Sequence, residues 1–145
     1  ANEIIFFLSK RCVARPDAKS MQKKLVRFQK IAESAAKQSG RGIIPRMDAV
    51  ASLEEALNIA TVSDLALFMY ETGDRISLKQ AIERAGSIHS AAIITGPEGG
   101  FDPAEAELIA SRGMQPIAMG PRILRCETAP TVVLSALMYA TDNLQ

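Results

Sequence analysis

The sequence predicts an α/β fold, a mostly parallel sheet with flanking helices. Short apolar runs of strand length alternate along the chain with longer segments of helical periodicity. The runs are apolar throughout rather than at every second residue, the pattern of strands covered on both faces. With 48% hydrophobic residues in 145, the chain can bury a real core as one domain, residues 1–145, and nothing marks a second.

The elements follow in order. "EIIFFLS" is short, apolar and rich in β-branched and aromatic residues, which predicts a buried strand. "KRCVARPDAKS" is a basic loop in which Asp17 or Ser20 can cap the next helix. In "MQKKLVRFQKIAESAAKQSG", Met21, Leu25, Phe28, Ile31, Ala32 and Ala35 recur at spacings of three and four, one face of a helix. Gly40 is placed for a left-handed C-terminal cap. "RGIIPRMDAV" reads as a loop with a short extended piece. "SLEEALNIA" opens with a capping box, Ser52 and Glu55, and "SLKQAIERAG" repeats it with Ser77 and Gln80. "DLALFMYE", "SAAIIT" and "QPIAM" are further strands. "DPAEAELIASRG" has Asp102 as cap, Pro103 at the first helical position and Glu105 three after the cap. "TAPTVVLSALMYATDNL" is apolar nearly all round, which predicts a well-buried last helix.

Composition removes several classes of function. No apolar run approaches the ~20 residues of a membrane span. The opening "ANEIIFFLSKR" has none of the features of a secretory signal and no initiator Met, so the chain is expected to be a fragment entered from an upstream segment. Cys12 and Cys126 show no ligand spacing, and a reducing, cytoplasmic location is the default. A single histidine, His89, excludes a His-rich metal site, and no metal is expected; His89 itself reads as structural. Charge is unevenly spread. Residues 1–46 hold 11 Lys/Arg against 3 Asp/Glu, a net of +8, while residues 47–145 hold 6 against 13, a net of −7. A basic N-terminal third on a nearly neutral chain fits a surface that meets a polyanion.

Ligands of parallel α/β sheets bind in the loops that follow the carboxyl ends of strands. Those loops here are "YETGD" after Met69, "GPEGGF" after Thr95 and "GPRILRCET" after Met119. Two of the three open with Gly-Pro, where glycine admits close approach to the backbone and proline stiffens the turn. Neither G-x-x-x-x-G-K-[ST] nor G-x-G-x-x-G is present, so a phosphate cradle is disfavoured. A neutral pocket of backbone N–H and C=O groups suits an adenine and a ribose better.

"IITGPEGGFDPAEAELI", "MGPRILRCETA" and "KKLVRFQKIAESAAKQSGR" together resemble the ribosomal RNA small-subunit methyltransferase E family, in the same order and over nearly the whole chain. The resemblance implies a SPOUT-class methyltransferase domain, with a C-terminal trefoil knot that generic topology rules would exclude. It implies S-adenosylmethionine as cofactor and N3 of a uridine in 16S rRNA as target, met in the assembled 30S subunit. It implies a homodimer paired through the knot region. Family members also carry an N-terminal PUA-like β-barrel for RNA binding, expected to be absent from this chain. Cys126 stands where the family more often has Thr, and Pro130 where Ala is common.

The cofactor contacts expected are Tyr70, Gly96, Glu98, Gly99, Met119, Gly120, Ile123 and Leu124, mostly through backbone, with the apolar members walling the adenine. Attack by N3 requires loss of its proton and spreads negative charge onto the uracil oxygens, where a fixed cation helps. Arg125 is assigned to the uracil or a phosphate and Arg122 to holding the RNA; neither guanidinium can be a general base. Glu98 and Glu127 are the loop carboxylates, able to accept the N3 proton or steady the sulfonium. Glu98 is expected more to hold its own loop through backbone N–H groups. Lys19, Lys23, Lys24, Arg27, Lys30 and Arg41 form the expected RNA-facing strip. The rival readings are a ribose 2′-O methyltransferase of the same fold, a non-catalytic RNA-binding module whose glycines only turn the chain, and a nucleotide-phosphate binder. "GPRILRCETA" argues against the first, because those enzymes usually carry an Asn- and Ser-rich third loop.

Overall fold

The computed structural model describes residues 1–144. Its elements are β1 (Glu3–Phe6), α1 (Ala18–Gln38), β2 (Arg46–Ala49), α2 (Leu53–Ala60), β3 (Leu65–Met69), β4 (Ile76–Ser77), α3 (Leu78–Ala85), β5 (Ala91–Ile94), α4 (Pro103–Ser111), β6 (Gln115–Ala118) and α5 (Ala129–Ala140). The chain forms two compact units: residues 1–8 with 14–56, and residues 9–13 with those from Leu57 onward. No helix among the described residues is long and apolar enough to cross a membrane.

In the first unit β1 and β2 pair in parallel, Glu3 opposite Arg46 and Phe6 opposite Ala49. β2 was expected only as a short extended piece; its Arg46 and Asp48 hide it from a search for apolar runs. Gln29 on α1 stitches helix to strand, donating to the Pro45 carbonyl at 3.1 Å and accepting from the Met47 N–H at 3.0 Å. Phe28 stacks on Phe6 with ring centroids 5.1 Å apart. Asp17 caps α1 by accepting from the Ser20 N–H at 2.7 Å. Gly40 takes φ +67°, and the Arg41 N–H reaches back to the Ala36 carbonyl at 2.9 Å, closing the helix with the expected left-handed turn. The inward face differs from expectation. Ala32 and Ala36 are buried, while Ile31 and Ala35 are exposed. The spacings 25, 28, 32, 36 are as regular as those through Ile31 and Ala35, and packing selects the alanine that lets the backbone come close.

The second unit holds a four-stranded sheet in the order β4-β6-β3-β5, every pair parallel. β4 was not expected, since two residues carry no readable period. The core between sheet and helices contains Leu65, Leu67, Leu78, Ala81, Ile117, Val133 and Leu137. Ser77–Gln80 and Asp102–Glu105 form their capping boxes as expected. In the box at Ser52, the Glu55 carboxylate accepts from the Ala51 N–H rather than from that of Ser52. Helix α5 departs from expectation: it buries Ala129, Val133 and Leu137, while Tyr139 is 76% exposed. Pro130 lies in the first turn of α5, where its missing N–H would have had no intrahelical partner.

Asp64 pins the amino ends of β3 and β5. Its Oδ2 accepts from the backbone N–H of His89 (2.8 Å) and Ser90 (2.9 Å) and from the Ser90 hydroxyl (3.2 Å). His89 therefore serves the fold through its backbone, as the sequence implies, and its ring is exposed. These donors, the His89 N–H foremost, hold the Asp64 carboxyl below its ordinary pKa of 3.8. A depressed folded-state pKa contributes stability above the unfolded value, and that contribution disappears as pH falls through the folded value. Asp64→Asn is expected to melt below wild type at neutral pH, with the difference closing as pH drops below 3.8; melting curves from neutral pH down through that value check this.

Candidate cofactor and RNA sites

Strand order explains how three distant loops meet. The chain leaves β3 for β4 on one side, crosses through α3 to β5 on the other, and returns through α4 to β6, which lies between β4 and β3. All strands being parallel, the loops after β3, β5 and β6 emerge at one edge. They enclose a cavity of about 580 Å³ whose walls come from Met69–Glu71, Thr95–Gly100 and Ile117–Cys126, with Arg75 and Ala129. That volume suits a nucleoside-sized ligand, for which sites of roughly 300–1,000 Å³ are typical.

The second loop owes its shape to Phe101. Its ring is 1% exposed and meets Phe68 edge-on with centroids 6.2 Å apart. Phe68 in turn lies against Tyr70, centroids 5.8 Å apart. The Phe101 ring fills the space beside Gly96, where a Cβ would come within 3.3 Å of it. Gly100 adopts φ +67°, and its N–H donates to the Pro97 carbonyl at 2.9 Å, so Pro97–Gly100 is a tight turn. Segment 9–13 fastens the turn from outside. Arg11 Nη1 donates to the Gly99 carbonyl at 3.2 Å, and its other Nη lies 3.8 Å from Asp102. The Lys10 N–H donates to Glu105 Oε1 at 2.8 Å, which gives that buried carboxylate a partner.

The cavity brings together ten of the eleven residues assigned above to cofactor or catalysis: Tyr70, Gly96, Glu98, Gly99, Met119, Gly120, Arg122, Ile123, Leu124 and Arg125 all line it. Glu127 is not among the lining residues; it is exposed, and its Oε2 accepts from the Cys126 thiol at 3.3 Å. Its own backbone N–H, that thiol and Arg125 hold the Glu127 carboxyl below its ordinary range, making it a weaker base. The same hydrogen bond, donated to Glu127, pushes the Cys126 thiol up. Cysteine thus supplies here a donor where a threonine hydroxyl could. Glu98 is exposed and makes no hydrogen bond to its loop among the described residues, contrary to the loop-holding role expected of it. The Tyr70 N–H is taken by the Ile117 carbonyl at 3.3 Å, and its carbonyl accepts from Arg75 at 3.2 Å.

Three residues of this region went unread in the sequence: Glu71 and Arg75 on the first loop and Arg11 outside the second. Glu71 stands beside Tyr70 in a loop the sequence marks, without a glycine-proline signal to single it out, while Arg75 and Arg11 reach their places only through the fold.

The basic strip resolves on α1 itself. Lys19, Lys23, Arg27 and Lys30 are exposed and fall within roughly a quarter of the helix circumference at about 100° per residue. Lys37, which the sequence places off the apolar face but outside the expected strip, continues their line. Lys24 turns away and is half-buried, and Arg41 is engaged by the Asn2 side chain. The Arg27 guanidinium lies over the Phe28 ring, 5.1 Å from its centroid.

Comparison with known proteins agrees with this geometry. The family model of the RNA methyltransferase domain matches residues 1–138. Ribosomal RNA small subunit methyltransferase E of Bacillus subtilis (strain 168) is 38% identical over 151 residues, covering 100% of this chain and 58% of that protein. A crystal structure titled only as a hypothetical protein superposes with a TM-score of 0.86 at 38% identity, again over 100% of this chain and 58% of the other. Ribosomal RNA small subunit methyltransferase E of Neisseria gonorrhoeae, crystallised with S-adenosyl methionine bound, gives a TM-score of 0.76 at 30% identity, over 91% of this chain and 53% of that one. The chain thus spans little more than half the length of these relatives. By the match over residues 1–138, it belongs to the RNA methyltransferase domain family.

Proposed function

We propose that this chain carries the methyl-transfer site of a ribosomal RNA small subunit methyltransferase E, using S-adenosylmethionine to methylate N3 of a uridine in 16S rRNA. The observation behind this reading is the convergence of the loops after β3, β5 and β6 on one cavity. The relative from Neisseria gonorrhoeae, of the same fold, holds S-adenosyl methionine.

The cavity walls fit that cofactor. Gly96, Gly99 and Gly120 bare the backbone for an adenine edge and ribose, while Met119, Ile123 and Leu124 supply apolar surface for the ring. The cofactor supplies an electrophilic methyl group on a sulfonium. The chain's own contribution is position and field: the loops orient the ligand, and much of the barrier is met by such placement. Arg125, on the cavity wall, stabilises negative charge spreading over the uracil oxygens as N3 loses its proton, and Arg122 holds the RNA beside it. Of the two loop carboxylates, Glu98 lines the cavity and is the better proton acceptor; Glu127 is not among the lining residues and is acidified.

The strip on α1 meets phosphate. Lys23→Glu with Lys30→Glu is expected to weaken RNA binding and flatten its salt dependence, by roughly one unit of log–log slope for each phosphate no longer neutralised. Lys24→Glu should affect it less. Filter binding at several salt concentrations measures this. The reading includes action on the 30S subunit in the cytoplasm, the knotted path of the C-terminal segment, and pairing of two copies through it. The exposed apolar side chains of Tyr139 and Leu144 support such pairing. The test of the chemistry is labelled methyl transfer to small ribosomal subunits followed by nucleoside digestion. The expected product is 3-methyluridine; 2′-O-methylated nucleosides would favour the rival target.

A further inference from the structure

We infer that Glu71 is the residue through which the cavity grips the positive charge of its cofactor. The inference rests on the reading of the cavity as an S-adenosylmethionine site. Glu71 follows Tyr70 on the first loop, is half-buried and lines the cavity. Its carboxylate lies against Gly100, occupying the space a Cβ there would need, so the first and second loops touch through it. Gly100, at φ +67°, is doubly suited to this contact: it accepts the left-handed backbone and leaves room for the carboxylate.

Glu71 makes no hydrogen bond or ion pair with any described residue. Its oxygens remain open to solvent, so a cation entering the cavity can meet the carboxylate without breaking a bond to the protein. The cations on the walls do not meet it. Arg75 spends a guanidinium N–H on the Tyr70 carbonyl, and neither Arg122 nor Arg125 forms an ion pair among the described residues. The other two carboxylates near the cavity are poorer candidates. Glu98 is exposed at the rim, and Glu127 lies outside the walls with the Cys126 thiol on it. S-adenosylmethionine carries two cationic groups, a sulfonium and an α-ammonium, and either answers the charge of Glu71.

Calorimetric titration of wild type and Glu71→Gln with three ligands separates these. S-adenosylmethionine has both cations, S-adenosylhomocysteine only the ammonium, and 5′-methylthioadenosine neither. The isosteric amide is expected to weaken S-adenosylmethionine binding about tenfold or more, the worth of one charge-assisted hydrogen bond, and to leave 5′-methylthioadenosine unchanged. Equal weakening of S-adenosylmethionine and S-adenosylhomocysteine assigns the ammonium; weakening of S-adenosylmethionine alone assigns the sulfonium. Weakening of all three alike, or of none, would overturn the inference and leave Glu71 a spacer between loops. Glu71→Asp, titrated beside it with a thermal melt of each variant, is expected to keep the same ligand ranking with a smaller loss. Wild type that binds none of the three would overturn the methyltransferase reading itself, an outcome distinct from the others.

Discussion

Phe101→Ala is expected to lower the stability of the chain by about 3–5 kcal/mol, the usual cost of removing a buried phenylalanine ring. Phe101 is 1% exposed, touches Phe68 edge-on and fills the space beside Gly96. Its loss opens a void under the second loop, which the stiff Gly-Pro turn cannot collapse to fill. The midpoint of thermal unfolding should fall by on the order of 10 °C or more. Cofactor affinity should fall as well at temperatures where the variant remains folded, because the ring holds Gly96–Gly100 in its cavity-lining shape. Phe101→Leu should recover much of the stability and less of the affinity. Differential scanning calorimetry paired with ligand titration separates the two effects.

Arg125→Ala is expected to slow methyl transfer by about 100–1,000-fold while leaving cofactor affinity within a fewfold of wild type, the signature of a group that acts on charge developing in the transition state. Arg125 lines the cavity and is exposed. Its backbone carbonyl accepts from the N–H groups of Thr128 and Ala129, both at 2.9 Å, which seats the residue at the start of α5 whatever its side chain. Truncation should therefore leave the loop in place. Arg125→Lys should restore part of the rate, since an ammonium keeps the charge but not the planar pair of donors. Single-turnover assays with saturating cofactor give the comparison. A collapse of cofactor binding in Arg125→Ala would instead place the residue in the cofactor's own grip.

Much of this site was legible in the chain because its loops advertise themselves. Gly-Pro after an apolar strand and a second Gly-Pro after another mark stiff, bare backbone at a sheet edge, and the parallel pattern places both at the same edge. What the pattern could not carry is lateral order. That β6 returns beside β3, opposite β5, follows from packing between distant segments, and so does the contact of Glu71 with Gly100 or of Arg11 with the Gly99 carbonyl. β4 escaped because two residues have no period, and β2 because charged Arg46 and Asp48 interrupt it. The inward side of α1 was ambiguous where Ile31, Ala32, Ala35 and Ala36 crowd together, since an apolar stripe wider than its contact leaves the choice to the neighbour it packs on. Helix α5 shows the same limit more strongly: apolar on every side, it records no preference, and only the fold selects Ala129, Val133 and Leu137. Glu127 drew attention as a carboxylate on the third loop, yet the lining of the cavity ends one residue before it, at Cys126, and resumes at Ala129.

The proposed function requires that three loops from one sheet edge form a single S-adenosylmethionine site. Its most direct test is calorimetric titration of this chain with S-adenosylhomocysteine, with GTP and NAD as controls and with Gly96→Val beside wild type. The expected result is saturable one-site binding of S-adenosylhomocysteine alone, abolished by Gly96→Val because the added side chain meets the Phe101 ring and disturbs the cavity-lining loop. Binding of S-adenosylhomocysteine that Gly96→Val leaves untouched, or binding of GTP or NAD in its place, would contradict it.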